Sequence, residues 1–309
     1  MSEGKYRLVT RSDFDGLACA VLFKEMDMID DIKFVHPKDM QDGAILVSDK
    51  DITTNLPYVR GVHLAFDHHE SETIRLEDKP ENHIIIPHAP SAARVVYEYY
   101  GKEKLGSISE DMMDAVDKSD SAQFSRDEIL NPTGWVLLNY IMDSRTGLGR
   151  FRDFNISNYQ LMMQLIDYCH GHTIDEILQL PDVVERVDRY NAHQDAAEEQ
   201  VRSNMTVHGN LGVLDLREEE VIFATNRFLL YALFPEINIS IHALWGLNKL
   251  NTVFACGKSI INRTSNTSIG ELMLKYGGGG HANAGTCQID NDDSERVLAE
   301  LVEQITADG

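Results

Sequence analysis

The chain has 309 residues, enough for two cores of roughly 100–200 residues each rather than one. Its formal net charge is −22, from 50 Asp and Glu against 28 Lys and Arg, so the mean field of its surface repels a polyanion and argues against long nucleic acid as a substrate. The 4 cysteines form no CxxC pair, which excludes a disulfide frame or a cysteine zinc site.

The opening MSEGKYRLVT lacks the basic-then-apolar order of a secretory signal. The longest apolar stretch, around GWVLLNYIM, is far short of a membrane span. A cytoplasmic protein with no membrane partner is therefore expected. In chain order, Tyr6–Thr10 predicts a strand, and residues 16–26 a helix with one buried face. Further short buried strands are expected at Ile32–Val35, Ala44–Val47 and His63–Phe66. Ser91 is placed to cap a helix that runs through Tyr100 and stops at Gly101. Alternating strands and helices predict an α/β fold: an N-terminal, mainly parallel sheet with helices on both faces, whose ligands gather beyond the carboxyl ends of the strands.

The middle of the chain, about 109–205, reads as helical, ending in the polar linker helix Val183–Met205. Strand patterns resume at Val213–Leu216, Val221–Ala224, Ile237–Ile241 and Thr252–Ala255. Helices follow at Ser268–Lys275 and about Ser294–Thr306. The expected division is 1–205 for a first domain with its linker helix, and 206–309 for a smaller C-terminal α/β domain.

Five segments carry the chemistry. Asp13 and Asp15, in Ser12-Asp13-Phe14-Asp15-Gly16, sit at a strand-to-helix turn where two carboxylates can converge on a cation; helix capping is the competing reading. Asp49 follows the apolar run Ala44–Val47. Asp67-His68-His69 follows another strand and offers oxygen and nitrogen ligands suited to manganese or a similar ion. Asp114, Asp117 and Asp120 share a helical face, either solvated or metal-binding. Gly277-Gly278-Gly279-Gly280-His281 strips the backbone of side chains, so that its N–H groups can approach an anion; a flexible turn is the alternative.

These segments, in this order, resemble the DHH phosphoesterase family with its C-terminal DHH-associated domain. Asp67-His68-His69 is similar to the motif that names the family, and Gly278-Gly279-Gly280-His281 to the signature of the second domain. The resemblance implies metal-dependent hydrolysis at a site with two ions, manganese above all, with magnesium or cobalt as substitutes. It implies that Asp13 binds the first ion, that Asp15, His68 and Asp120 bind the second, and that Asp49 bridges both. Asp120 is preferred to Asp117 because Phe124 follows it at the family's spacing. His69 would contact the scissile phosphate. Arg263, Gly278, Gly279, Gly280 and His281 would hold the remote end of the substrate. One position departs: Val9 stands where many members carry a metal-binding histidine, so the first ion is expected to be the weaker.

Within the family, the acidic surface favours short substrates. The expected reaction is cleavage of short oligoribonucleotides, above all linear dinucleotides such as pGpG, to mononucleotides. Cyclic dinucleotides, adenosine bisphosphate and polyphosphate are the alternative substrates. A nucleotide-binding regulator without activity is the alternative class, disfavoured by the retained Asp and His residues. A homodimer is compatible with the sequence.

Overall fold

The computed structural model describes residues 4–76, 78 and 80–309. The chain divides into two compact units. The first takes the chain up to 123, with 133–144 and 148–188; the second takes 124–132, 145–147 and 189–309. The last passage from the first to the second falls within the helix Pro181–Asn204.

In the first unit, β1 (Tyr6–Thr10), β2 (Ile29–Phe34), β3 (Asp51–Thr54), β4 (Leu64–Asp67) and β5 (His83–Ile85) form one 5-stranded sheet in the order β2-β1-β3-β4-β5. Every neighbouring pair is parallel. Leu8 and Val9 point to opposite faces of β1 and both are fully buried, so both faces of the sheet are covered. The helix Phe14–Glu25 is buried at every position from Phe14 to Phe23, not along one stripe as the sequence predicts. It packs on the helices Ala92–Tyr100, Glu110–Asp120 and Asn158–Gly171, and its small Ala18, Cys19 and Ala20 permit that close approach. Each large apolar side chain buried here contributes about 1.5–3 kcal/mol. Ser91 accepts the Arg94 N–H at the start of Ala92–Tyr100, and Gly101, at φ +80°, ends it.

The segment Ala44–Val47 is not a strand. Ile45 and Val47 pack on the cluster of Val9, Val35, Met40 and Leu56 while Leu46 is exposed, with no strand ladder beside them. The strand comes later, at Asp51–Thr54, where Arg7 pairs with Asp51 in register and also by side chain, Nε donating to Oδ1 at 2.7 Å. That ion pair joins residues far apart in sequence, and a local pattern does not contain it.

In the second unit, β6 (Met205–His208), β7 (Leu211–Asp215), β8 (Ile239–Trp245), β9 (Thr252–Lys258), β10 (Gly279–His281) and β11 (Ala284–Ile289) form a 6-stranded sheet, ordered β10-β11-β9-β8-β7-β6. Its pairs are antiparallel except β7 with β8. Ile241, Phe254, Ile269, Met273 and Leu301 are among the residues of its core, which the helices Ile269–Leu274 and Ser294–Asp308 complete. The expected strand Val221–Ala224 is a loop. Side chains of the long helix hold its backbone instead: Phe223 N–H donates to Gln200 and Ala224 N–H to His193.

Candidate active site

Parallel strands bring three turns to one edge of the first sheet. β1 runs into Asp13 and Asp15, β3 into Asn55, and β4 into Asp67, His68 and His69. The first turn is tight because residue 16 is glycine: a Cβ there would lie 1.9 Å from the Arg11 carbonyl oxygen. Asp13 caps the helix Phe14–Glu25, its Oδ1 accepting the Gly16 N–H at 2.9 Å. Its Oδ2 lies 3.0 Å from Arg11 Nε.

Asp15 is buried, and its two oxygens accept the N–H groups of Ala92 and Ala93 at 3.0 and 2.7 Å, at the start of the helix Ala92–Tyr100. Burial pushes the Asp15 carboxyl up to about 8, with the Asp120 charge adding to the shift. His68 Nδ1 lies 3.0 Å from the Ala89 carbonyl oxygen, which fixes the proton on Nδ1 and leaves Nε2 facing Asp120 Oδ2 at 3.1 Å. Burial opposes a charge on His68, but Asp120 and Asp15 outweigh it and lift the imidazole to about 9. Burial would raise Asp120 as well; the hydrogen bond and charge of His68 outweigh it and hold that carboxyl below its ordinary value.

Ligand atoms of Asp15, His68 and Asp120 lie within 4.8 Å of one another. The Asp120 carboxylate needs positive charge opposite it, and a protonated His68 supplies that through Nε2. A divalent cation meets the same need, and two carboxylates with one imidazole are a suitable donor set. The chain's own residues thus fit a metal.

His69 follows with its Nδ1 2.7 Å from Asp67 Oδ1, which orients the ring and raises its pKa above the ordinary histidine value. Its side chain is 44% exposed, so a solute can reach it. Asp117 is engaged elsewhere, accepting from Ser91 Oγ at 2.6 Å and from Arg94 Nε at 2.7 Å.

Asp49 is not at this edge. It lies exposed ahead of β3, and parallel pairing of Arg7 with Asp51 and Thr10 with Thr54 puts it at the amino end of the sheet, opposite the cluster. The expectation that it bridges two ions is corrected. It rested on taking Ala44–Val47 as the strand. The residue that follows β3 is Asn55, which sequence reasoning missed. Its available signal was a turn-forming Asn straight after the β-branched pair Thr53-Thr54.

In the second unit, Gly278 and Gly280 are required by packing: a Cβ would lie 2.1 Å from the Thr286 oxygen and 2.3 Å from the Ala284 oxygen. Gly279 has open space beside it, as does Gly277, which lies at φ +72°. His281 ends β10 and is exposed. Arg263 is exposed in the segment after β9, its Nε donating to the Ile260 carbonyl at 3.0 Å.

A parallel α/β sheet with carboxylates and imidazoles gathered at its carboxyl edge is the arrangement that a metal-assisted hydrolase requires. The chain is 60% identical to a pGpG-specific phosphodiesterase, PggH, from Vibrio cholerae, covering 99% of this chain and 100% of that one at a TM-score of 0.86. The protein belongs to the DHH phosphoesterase family, and it is a hydrolase of phosphate esters. The fold is shared with RecJ from Thermus thermophilus in complex with Mn2+, at 12% identity and a TM-score of 0.56 over 98% of this chain and 52% of that one. It is shared as well with an exonuclease RecJ bound to manganese, at 14% identity and a TM-score of 0.50 over 98% of this chain and 90% of that one. No family model matches the chain, and no curated protein does. Among the described residues, no helix is long and apolar enough to cross a membrane.

Proposed function

We propose that the protein hydrolyses the linear dinucleotide pGpG to mononucleotides, using a divalent cation held by Asp15, His68 and Asp120. The observation that carries the chemistry is the gathering of those three side chains at the carboxyl edge of the sheet. The likeness to a pGpG-specific phosphodiesterase over nearly the full length supports the substrate.

When bound, the ion supplies positive charge for a phosphoryl oxygen and lowers the pKa of a water. The chain's residues do the rest. Asp15 is fixed by two backbone N–H groups and His68 by the Ala89 carbonyl, so the ligands need no rearrangement to receive the ion. His69, held by Asp67, presents a proton-bearing ring to the scissile phosphate and offsets the charge that grows on its oxygens. Water oxygen bonds to phosphorus, the bond to the leaving O3′ breaks, and the proton passes to O3′.

In the second unit, Arg263, Gly278, Gly279, Gly280 and His281 are the substrate-binding residues of this reading. Arg suits the role because its planar fork matches a phosphate or a base edge. The cytosol is the proposed compartment.

The test is a manganese-supplemented assay against pGpG, cyclic dinucleotide, adenosine bisphosphate and longer oligoribonucleotides, with products resolved by chromatography. Release of GMP from pGpG, abolished by chelation and restored by manganese, is expected. Full turnover after exhaustive chelation contradicts the metal, and preference for a longer or cyclic substrate contradicts the dinucleotide.

A further inference from the structure

The resemblance implies two ions and a carboxylate between them at the middle strand end. The structure places an amide there. Asn55 is 1% exposed, directly after β3, at φ +55° in the left-handed region that Asn tolerates better than most residues. Its Nδ2 lies 3.3 Å from Asp13 Oδ1, to which it donates. Its Oδ1 is buried without a hydrogen-bond partner among the described residues.

Charge separates the two halves of this edge. Asp15 and Asp120 carry two negative charges when ionised and, with neutral His68, match one dication. On the other side, Asp13 faces the Arg11 guanidinium at 3.0 Å and accepts from Gly16 and Asn55. Its charge is already opposed and Asn55 adds none. Val9 is fully buried and packs with Val35, Met40 and Leu56, so no ligand comes from that position. Asp67, His68 and His69 also bring ligand atoms within 4.8 Å of one another, but His68 is already used in the first group and Asp67 Oδ1 is held by His69 Nδ1. A second dication would therefore meet the compensated Asp13, the neutral amide of Asn55 and one remaining oxygen of Asp67, too little to offset its desolvation.

We propose that the protein holds one divalent ion at rest, on Asp15, His68 and Asp120, and that Asn55 sets this count. Asn55 acts as a positioning residue, since its amide keeps Asp13 beside Arg11. The inference rests on the metal-dependent reading above and narrows it to a mononuclear site.

The test counts manganese on the full chain by calorimetric titration, with electron paramagnetic resonance of the frozen complex. One ion per chain and an uncoupled six-line signal are expected. Asn55→Asp should raise the count to two and bring in a spin-coupled signal, because it supplies the missing charge. Asp13→Asn should leave the count at one, while Asp120→Asn should lose the ion. These two single-atom exchanges keep the proposal open to contradiction should Asn55→Asp fold poorly. Two ions on the unmodified protein, with hydrolysis of pGpG intact, overturn this inference alone. So does a count of one that falls to zero in Asp13→Asn, or a folded Asn55→Asp protein that still holds one ion. No ion on the unmodified protein, with hydrolysis surviving chelation, overturns the metal-dependent reading itself.

Discussion

His69 and Asp49 separate two kinds of acidic-edge residue. His69 is aimed by Asp67 and reachable from solvent; it lies outside the Asp15–His68–Asp120 group, and in the neighbouring group of Asp67, His68 and His69 its Nδ1 is already taken by Asp67. His69→Ala should therefore keep its manganese and lose about 10²–10³-fold in kcat, the scale of removing one group that meets transition-state charge. Metal content and single-turnover kinetics on the same preparation check this, and a metal-free variant would refute the division of roles. Asp49, exposed at the opposite edge, should be dispensable: Asp49→Ala is expected to keep wild-type turnover, with stability within about 0.5 kcal/mol. Its neighbour Asp51 is 2% exposed and holds Arg7 Nε and the Ser48 N–H. Asp51→Ala should cost about 1–3 kcal/mol in denaturant unfolding, because it leaves those donors without their acceptor. A large loss of turnover in Asp49→Ala at unchanged stability would restore it to the site.

At the scale of elements, local signals were legible and pairings between distant segments were not. Ser91 and Gly101 bound their helix as written, since a cap depends on residues three or four apart. The turn at Asp13–Gly16 and the run Asp67-His68-His69 were legible for the same reason, as each functional group follows its strand directly. β3 was misread because the apolar run Ala44–Val47 outcompetes Asp-Ile-Thr-Thr locally. Only pairing with β1 selects the second, and that error carried Asn55 out of view. β10 and β11 were not read because glycine carries no strand preference of its own. The glycine run can now be taken apart. Gly280→Ala should destabilise the second unit, since a Cβ would strike β11 at a φ of +154°. Gly279→Ala adds a methyl to open space and should leave the melting temperature unchanged. If the backbone there meets the substrate, Gly279→Ala raises KM and spares kcat. An unchanged KM would remove Gly279 from the substrate site.

Over the whole molecule, the charge of −22 is mostly solvated surface, and its functional part is small. What sets the proposed catalytic edge apart from the rest of an acidic protein is the buried Asp15 and the part-exposed Asp120 converging on one imidazole. The same charge fits a short substrate, because a dinucleotide brings few phosphates against the surface field. The family and the α/β architecture were legible in the order of the motifs along the chain. The proposed number of ions was not, because the proposal rests on which residue ends β3 and on what Arg11 does to Asp13. The most direct measurement is anomalous diffraction at the manganese edge, on crystals of the protein grown with manganese. A peak enclosed by Asp15, His68 and Asp120, absent from Asp120→Asn crystals, is the expected result. A peak bound elsewhere, or none at that position in a protein that still cleaves pGpG, would contradict the account.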